Sequence, residues 1–141
     1  MSFDLHPDLK RDGVHMGDFP LCHVRLINDA NYPWFVLIPK RENISDTIDL
    51  MPKDHRVMWE ESRIFSAAIM NIFAGDKLNV AALGNMTPQL HLHHIVRFVV
   101  DPAWPGPIWG KRPMTPYDAV EIMAIYARLE AADMKNYTPM S

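Results

Sequence analysis

Two histidines and a glutamine, set two positions apart, are the side chains of this chain best suited to chemistry. In Gln89-Leu90-His91-Leu92-His93-His94-Ile95-Val96-Arg97-Phe98, polar and apolar residues alternate through the first half, the period of a half-buried β-strand. Residues i, i+2 and i+4 of a strand share a face, so Gln89, His91 and His93 project together while Leu90 and Leu92 turn to the core. Neighbours on one face lie roughly 6.6 Å apart, close enough for several to touch one phosphate-sized group. Imidazole titrates near neutrality and is a nucleophile when unprotonated, which suits covalent and acid–base work. A single histidine on a strand is more often a satisfied core or surface residue; two on one face beside a glutamine fit that account less well. A metal site built from His91 and His93 is the competing reading. The flanking Asn85, Thr87, Pro88 and Arg97 add no acidic or cysteine ligand, and an arginine beside the cluster favours an anion.

The elements that must hold these residues follow from the rest of the chain. Its 141 residues suit one domain, 1–141. A net charge of -3 gives no bulk attraction to a nucleic acid polymer, so an anionic ligand needs locally placed donors. Cys22 stands alone, which rules out an intramolecular disulfide. No apolar run resembles a signal peptide or is long enough to cross a membrane, so the expectation is a cytoplasmic protein with no membrane partner.

Residues 1–20 carry Pro7, Gly13, Gly17 and Pro20 and read as weakly structured, with Phe3, Leu5 and Leu9 able to pack as a short lead-in helix. Leu21–Ile27 alternates as a strand. Asn28-Asp29-Ala30-Asn31 is a turn. Trp34–Ile38, closed by Pro39, is a second strand whose continuous apolarity predicts cover on both faces. Ile44, Ile48 and Leu50 tuck a short turn onto the core. A helix runs from Pro52 to Ala74, with Pro at its start, a stripe of Met58, Phe65, Ile69, Ile72 and Phe73, and Gly75 as the C-cap. Leu78–Leu83 is a third strand, forming a hairpin with the histidine strand. Asp101–Gly110, with two tryptophans and three prolines, is neither helix nor central strand. Tyr117–Asn136 is a second helix. This pattern predicts an α+β fold with helices against an antiparallel sheet. Trp34 and Trp59 read as core, and His94 as structural. His6, His15, His23 and His55 show no constellation.

The stretch Gly84-Asn85-Met86-Thr87-Pro88-Gln89-Leu90-His91-Leu92-His93-His94-Ile95 resembles the signature of the histidine-triad nucleotide hydrolases and transferases, His-φ-His-φ-His-φ-φ, where φ is apolar. Gln89 takes the first histidine's place, His91 is the middle one and His93 the third; His94 and Ile95 fill the trailing positions. The form is most similar to a bacterial branch with Gln-Leu-His-φ-His, and the resemblance spans residues 21–109. It implies a five-stranded antiparallel sheet with one main helix, the fifth strand coming from the N-terminal segment, assembled as a homodimer of about 32 kDa, twice the 16.2 kDa chain.

For the site, the resemblance implies that His91 attacks the α-phosphorus of a nucleotide conjugate and forms a nucleotidyl-histidine that water or another acceptor resolves. His93 would bind phosphoryl oxygens or assist the leaving group, and either role needs a proton donor. Gln89 can donate a hydrogen bond but cannot titrate near neutrality. Asn85 falls where the family carries a phosphate-contacting residue, with a plain turn residue as its alternative; the loop before it is shorter than the family's. Asn28 or Asp29 would hold the ribose hydroxyls, with a turn role weighed equally. Asn79 would support the phosphate site. The Trp104–Trp109 segment would rim it, with Lys111 and Arg112 either meeting distal phosphates or lying solvated. The function implied is a nucleotide-conjugate hydrolase or nucleotidyl transferase, on dinucleoside polyphosphates, phosphoramidates or nucleotidyl adducts. No cofactor is required, and magnesium would enter only with a polyphosphate. The alternative is a nucleotide-binding module with little turnover.

Overall fold

Residues 3–140 are described by a computed structural model. The N-terminal segment is more regular than its glycines and prolines suggest, and it supplies the expected lead-in helix and a strand of the sheet. His6 caps a short helix, α1 (Pro7–Asp12), its Nδ1 accepting the Asp8 amide at 3.0 Å; the chain then enters β1 (Gly13–Asp18). Its glycines and proline look like breakers in isolation, but long-range contacts hold the segment in place. The strands β2 (Cys22–Ile27) and β3 (Trp34–Pro39), the helix α2 (Pro52–Phe73), β4 (Lys77–Ala81), β5 (Leu92–Arg97), α3 (Ala119–Ala131) and a two-residue β6 (Thr138–Pro139) follow.

These form an α+β fold on one antiparallel sheet ordered β4-β5-β3-β2-β1-β6. Among the described residues the sheet has six strands rather than five, because β6 adds to β1. The histidine strand begins at Leu92, not Gln89. Its ladder with β3 ends at Leu37↔Leu92; the next partners would include Pro39, which has no N–H to give. Leu90 bonds Ile44 instead, amide to carbonyl at 2.8 Å. Alternation in sequence thus outlasts pairing in space.

Two helix ends also depart from the sequence reading. Ala74, not Gly75, is the left-handed residue that ends α2, at φ 51°. Gly75 is needed for space: a Cβ there would lie 2.3 Å from Val96 Cγ1. α3 is shorter than the pattern suggested. Asp118 and Glu121 start it with reciprocal side-chain-to-amide bonds, and positive φ at Asp133 and Asn136 follows its end. In the turn at Thr47–Asp49, Leu50 is buried but Ile48 is exposed.

The α2 face of the sheet carries one apolar cluster that includes Phe19, Val24, Leu26, Phe35, Leu92 and Val96, closed by Met58, Phe65 and Ile69 from α2 and Ile125 and Leu129 from α3. Polar pins fix α2 in register. Buried Glu61 accepts the amides of Leu21 and Cys22 at 3.0 and 2.8 Å, and Ser62 Oγ meets His94 Nε2 at 2.7 Å. The opposite face carries two smaller clusters: Leu9, Ile27, Val36 and Ile38 under α1, and Tyr32, Ile95, Ala103 and Ile108 under the proline-rich strap. Among the described residues, no helix is long and apolar enough to cross a membrane.

Candidate active site

His91 and His93 lie in the gap between those two smaller clusters. His91 Nδ1 sits 2.8 Å from the Gln89 carbonyl oxygen. A carbonyl only accepts, so Nδ1 carries a proton, and in the neutral ring Nε2 then keeps its lone pair. His91 is 7% exposed, and its ring lies along the backbone of Gly84, where a Cβ would come within 2.8 Å of His91 Cε1. Glycine is required there for close approach.

His93 is held at both nitrogens. Nε2 is 2.8 Å from the Leu83 carbonyl, so it donates; Nδ1 then accepts the indole N–H of Trp34 at 3.0 Å. Burial lowers its pKa to about 4, with the neighbouring His91 adding and the Leu83 carbonyl opposing. The ring stands edge-on to His91, centroids 4.8 Å apart, and to Trp109 at 5.1 Å.

The pair separates two cavities. One, of about 410 Å³, is lined by Leu83, Gly84, Asn85, Met86, Thr87 and Trp109. The other, of about 120 Å³, is walled by Asp8, Leu9, Asp12, Ile27, Trp34 and Met114. The HIT domain matches residues 10–100. The chain belongs to the histidine-triad family. It is similar to a histidine triad protein from Marinobacter aquaeolei, with 45% identity over 92% of this chain and 95% of that one, at a TM-score of 0.90. It is similar to another from Bradyrhizobium japonicum, with 41% identity over 94% and 98%, at 0.91. A third, from Sinorhizobium meliloti, shares 37% identity over 93% and 97%, at 0.91. No curated protein matches the chain significantly.

The other residues suggested by the histidine-triad pattern are dispersed. Asn85 lines the larger cavity beside both histidines. The Gln89 amide turns to the N-terminal segment, accepting from the His6 amide at 2.8 Å and donating to the Asp4 carbonyl at 2.9 Å. Asn28 accepts the Tyr117 amide at 2.9 Å, and buried Asp29 accepts the amides of Asn31 and Thr115; both latch the segment before α3. Asn79 accepts from Arg97 at 2.7 Å.

Arg97 does not serve as an anion site. It is 2% exposed and paired to Asp101 through Nε and Nη2 at 2.8 and 3.1 Å, while Nη2 also reaches the Gly106 carbonyl. Burial pushes the Asp101 carboxyl up, but Arg97 and the amides of Phe98 and Ala103 outweigh it and hold it at about 2. This ion pair anchors the strap that carries Trp109 to the site. Lys111 and Arg112 are exposed beyond it.

Several residues escaped the sequence reading. Trp59 is 42% exposed, and so is not core; Trp34 is half-buried against His93. Asp8, Asp12 and Met114 reach the smaller cavity through contacts no local pattern signals. The β1–β2 hairpin gathers His15, Asp18 and His23, with ligand atoms within 4.8 Å of one another. His23 Nε2 faces a guanidinium donor, Arg25 Nη1, at 3.2 Å, so its proton sits on Nδ1, toward Asp18. His15 Nε2 faces the Gly17 carbonyl at 3.1 Å and so also carries a proton. With Lys40 3.6 Å from Asp18, the cluster is already satisfied without a cation. His94 is buried, with its ring nitrogens on Ser62 and the Leu92 carbonyl.

Proposed function

We propose that this protein cleaves or transfers nucleoside monophosphate groups, with His91 as nucleophile at the α-phosphorus. The observation that carries the reading is the His91 ring: Nδ1 is locked to a backbone carbonyl, Nε2 makes no hydrogen bond among the described residues, and the residue lines two cavities. Nε2 would form a bond to phosphorus as the leaving group departs with the displaced electron pair. Water or another acceptor then breaks the phosphorus–nitrogen bond and frees the imidazole. Asn85 would donate to a phosphoryl oxygen from the loop. Gln89 serves through its carbonyl, which orients His91, and through its amide, which ties down the N-terminal wall. Within the family, we place the chain with members carrying glutamine at the first histidine position.

The described lining of the larger cavity contains Leu83, Met86 and Trp109 and no lysine or arginine. An uncharged leaving group, as in a phosphoramidate or nucleotidyl adduct, fits it better than a polyphosphate. No cofactor is invoked, and magnesium would serve only a polyphosphate.

The test is to quench the protein with a nucleoside phosphoramidate or a dinucleoside polyphosphate and map the added mass. We expect it on His91, absent in His91→Ala, with turnover reduced on the order of 10⁴-fold or more. Label on another residue would overturn the assignment. One observation favours the binding-module alternative: His93 has no free proton for a leaving group. Calorimetric binding of AMP or GMP without turnover across the panel would establish that reading instead.

We also propose that the chain pairs with a second copy of itself. β4 is an outer strand of the sheet with Val80 partly exposed, an edge open to pairing with a second copy. The expected particle is a cytoplasmic homodimer of single-domain chains, about 32 kDa from two chains of 16.2 kDa. A stable 16.2 kDa species in light scattering would reject it.

A further inference from the structure

The third triad histidine has a partner that the motif does not contain. Trp34 opens β3 and pairs with Ile95 across the sheet, which places its indole diagonally over His93, centroids 5.8 Å apart. We propose that Trp34 is a positioning residue for the histidine pair: its N–H, 3.0 Å from His93 Nδ1, fixes the Nε2–H tautomer and keeps that ring neutral and edge-on to His91.

Both ring nitrogens of His93 are already engaged. Nε2 is committed to the Leu83 carbonyl at 2.8 Å, so the remaining place for a second proton is Nδ1. An indole N–H cannot accept. Protonating Nδ1 would set two N–H groups against each other at a residue only 5% exposed, which opposes the charged form as burial does. The charged and titratable groups facing His93 are His91 from its own segment and Asp8 and Asp12 from α1 across the smaller cavity. Arg11 pairs with both carboxylates, so their pull on a cation at His93 is reduced. The 82–88 loop contributes none, and Trp109 from the strap is uncharged. A neutral ring beside His91 leaves the nucleophile's lone pair undiminished by an adjacent cation. It also implies that the proton for a departing group comes from solvent rather than from His93. The catalytic part of this inference rests on the proposed function; the tautomer part does not.

The test is nitrogen-15 imidazole spectroscopy across pH on the wild type and Trp34→Phe, which retains an aromatic ring without the donor, with the rate of adduct formation measured alongside. In the wild type, His93 should show a pyrrole-like Nε2 and a pyridine-like Nδ1 and should not titrate down to about pH 5, whereas an ordinary histidine titrates near 6.5. In Trp34→Phe, titration should appear above pH 5, and adduct formation should slow about tenfold with little change in KM. Trp109→Phe, which keeps ring contact and touches no ring nitrogen, should leave the tautomer unchanged. A wild-type His93 carrying its proton on Nδ1, or titrating near 6.5, would overturn the proposal even if the variant fails to fold. So would a variant with unaltered tautomer and rate. Absence of any adduct in the wild type would sink the enzymatic reading, while the spectra still decide what Trp34 does.

Discussion

On the α2 side of the sheet, Phe19, Phe35, Phe65, Leu92 and Val96 belong to one continuous apolar cluster. On the other side, Leu9, Ile27, Val36 and Ile38 form one small cluster, Tyr32, Ile95, Ala103 and Ile108 form another, and Trp34 packs against both. The first face is closed by area, with Phe65 meeting the rings of Phe19, Phe35 and His94 edge-on. The second is closed by directed polar contacts: Arg97 with Asp101, Gln89 with His6 and Asp4, Asp29 with Thr115, and Arg25 with the Lys10 and Gly13 carbonyls at the end of α1. Discrete fasteners leave gaps where an apolar layer would not, and His91 occupies one. The cavities exist because the cover is incomplete.

Acid should strain both faces at once and give the largest effect. Burial lowers the pKa of His94 on the α2 side and of His93 on the other to about 4, and burial with His15 does so for His23. The unfolded chain takes up protons near 6.5 while the folded rings stay neutral. Stability is therefore complete above pH 6.5 and falls toward pH 4, by about 1.4 kcal/mol per pH unit for each group. Melting temperature recorded from pH 7.5 to 4.5 checks this; a flat profile would mean the rings are charged inside the fold.

Phe65→Ala attacks the α2 face alone. A cavity among three aromatic neighbours should cost about 4 kcal/mol, read by denaturant titration, while His91 labelling of the remaining folded protein stays normal. Asp101→Asn attacks the opposite face. It leaves buried Arg97 without its counter-charge and should cost about 3 kcal/mol. Amide exchange should rise first across residues 101–109, and loosening confined to α2 would contradict the division. The smallest effect runs the other way. Ala74 sits in a left-handed conformation that disfavours a Cβ, so Ala74→Gly should stabilise by about 0.5–1 kcal/mol in the same titration.

The same division explains what could be read from the sequence. β2, β3 and α2 were legible because their periodicity reports a broad apolar face. The motif around His91 was legible because its chemistry is local. The partners of the Gln89 amide, His6 and Asp4, lie 83 and 85 positions away, and alternation continues past Leu92, where pairing stops for want of an N–H at Pro39. Asn28 and Asp29 have the composition of a turn whether they hold a ribose or the Thr115 and Tyr117 amides. The roles of α1 and Trp34 depend on partners far away in the chain, and no window of the sequence contains both ends of such a contact.

Four of the bonds that enclose and brace the site, from His6 to Gln89, Thr87 to Asp8, Thr115 to Asp29 and Tyr117 to Asn28, span 83, 79, 86 and 89 positions. Bringing such distant points together costs roughly 2–3 kcal/mol more in chain entropy than closing a turn of a few residues. The β1–β2 hairpin can form from neighbours, but the site's walls must wait for a sheet that already holds the two halves of the chain side by side. During synthesis, α1 therefore emerges long before Gln89, the residue that secures it, and the chain completes its most local structure well before it owns a place to bind anything.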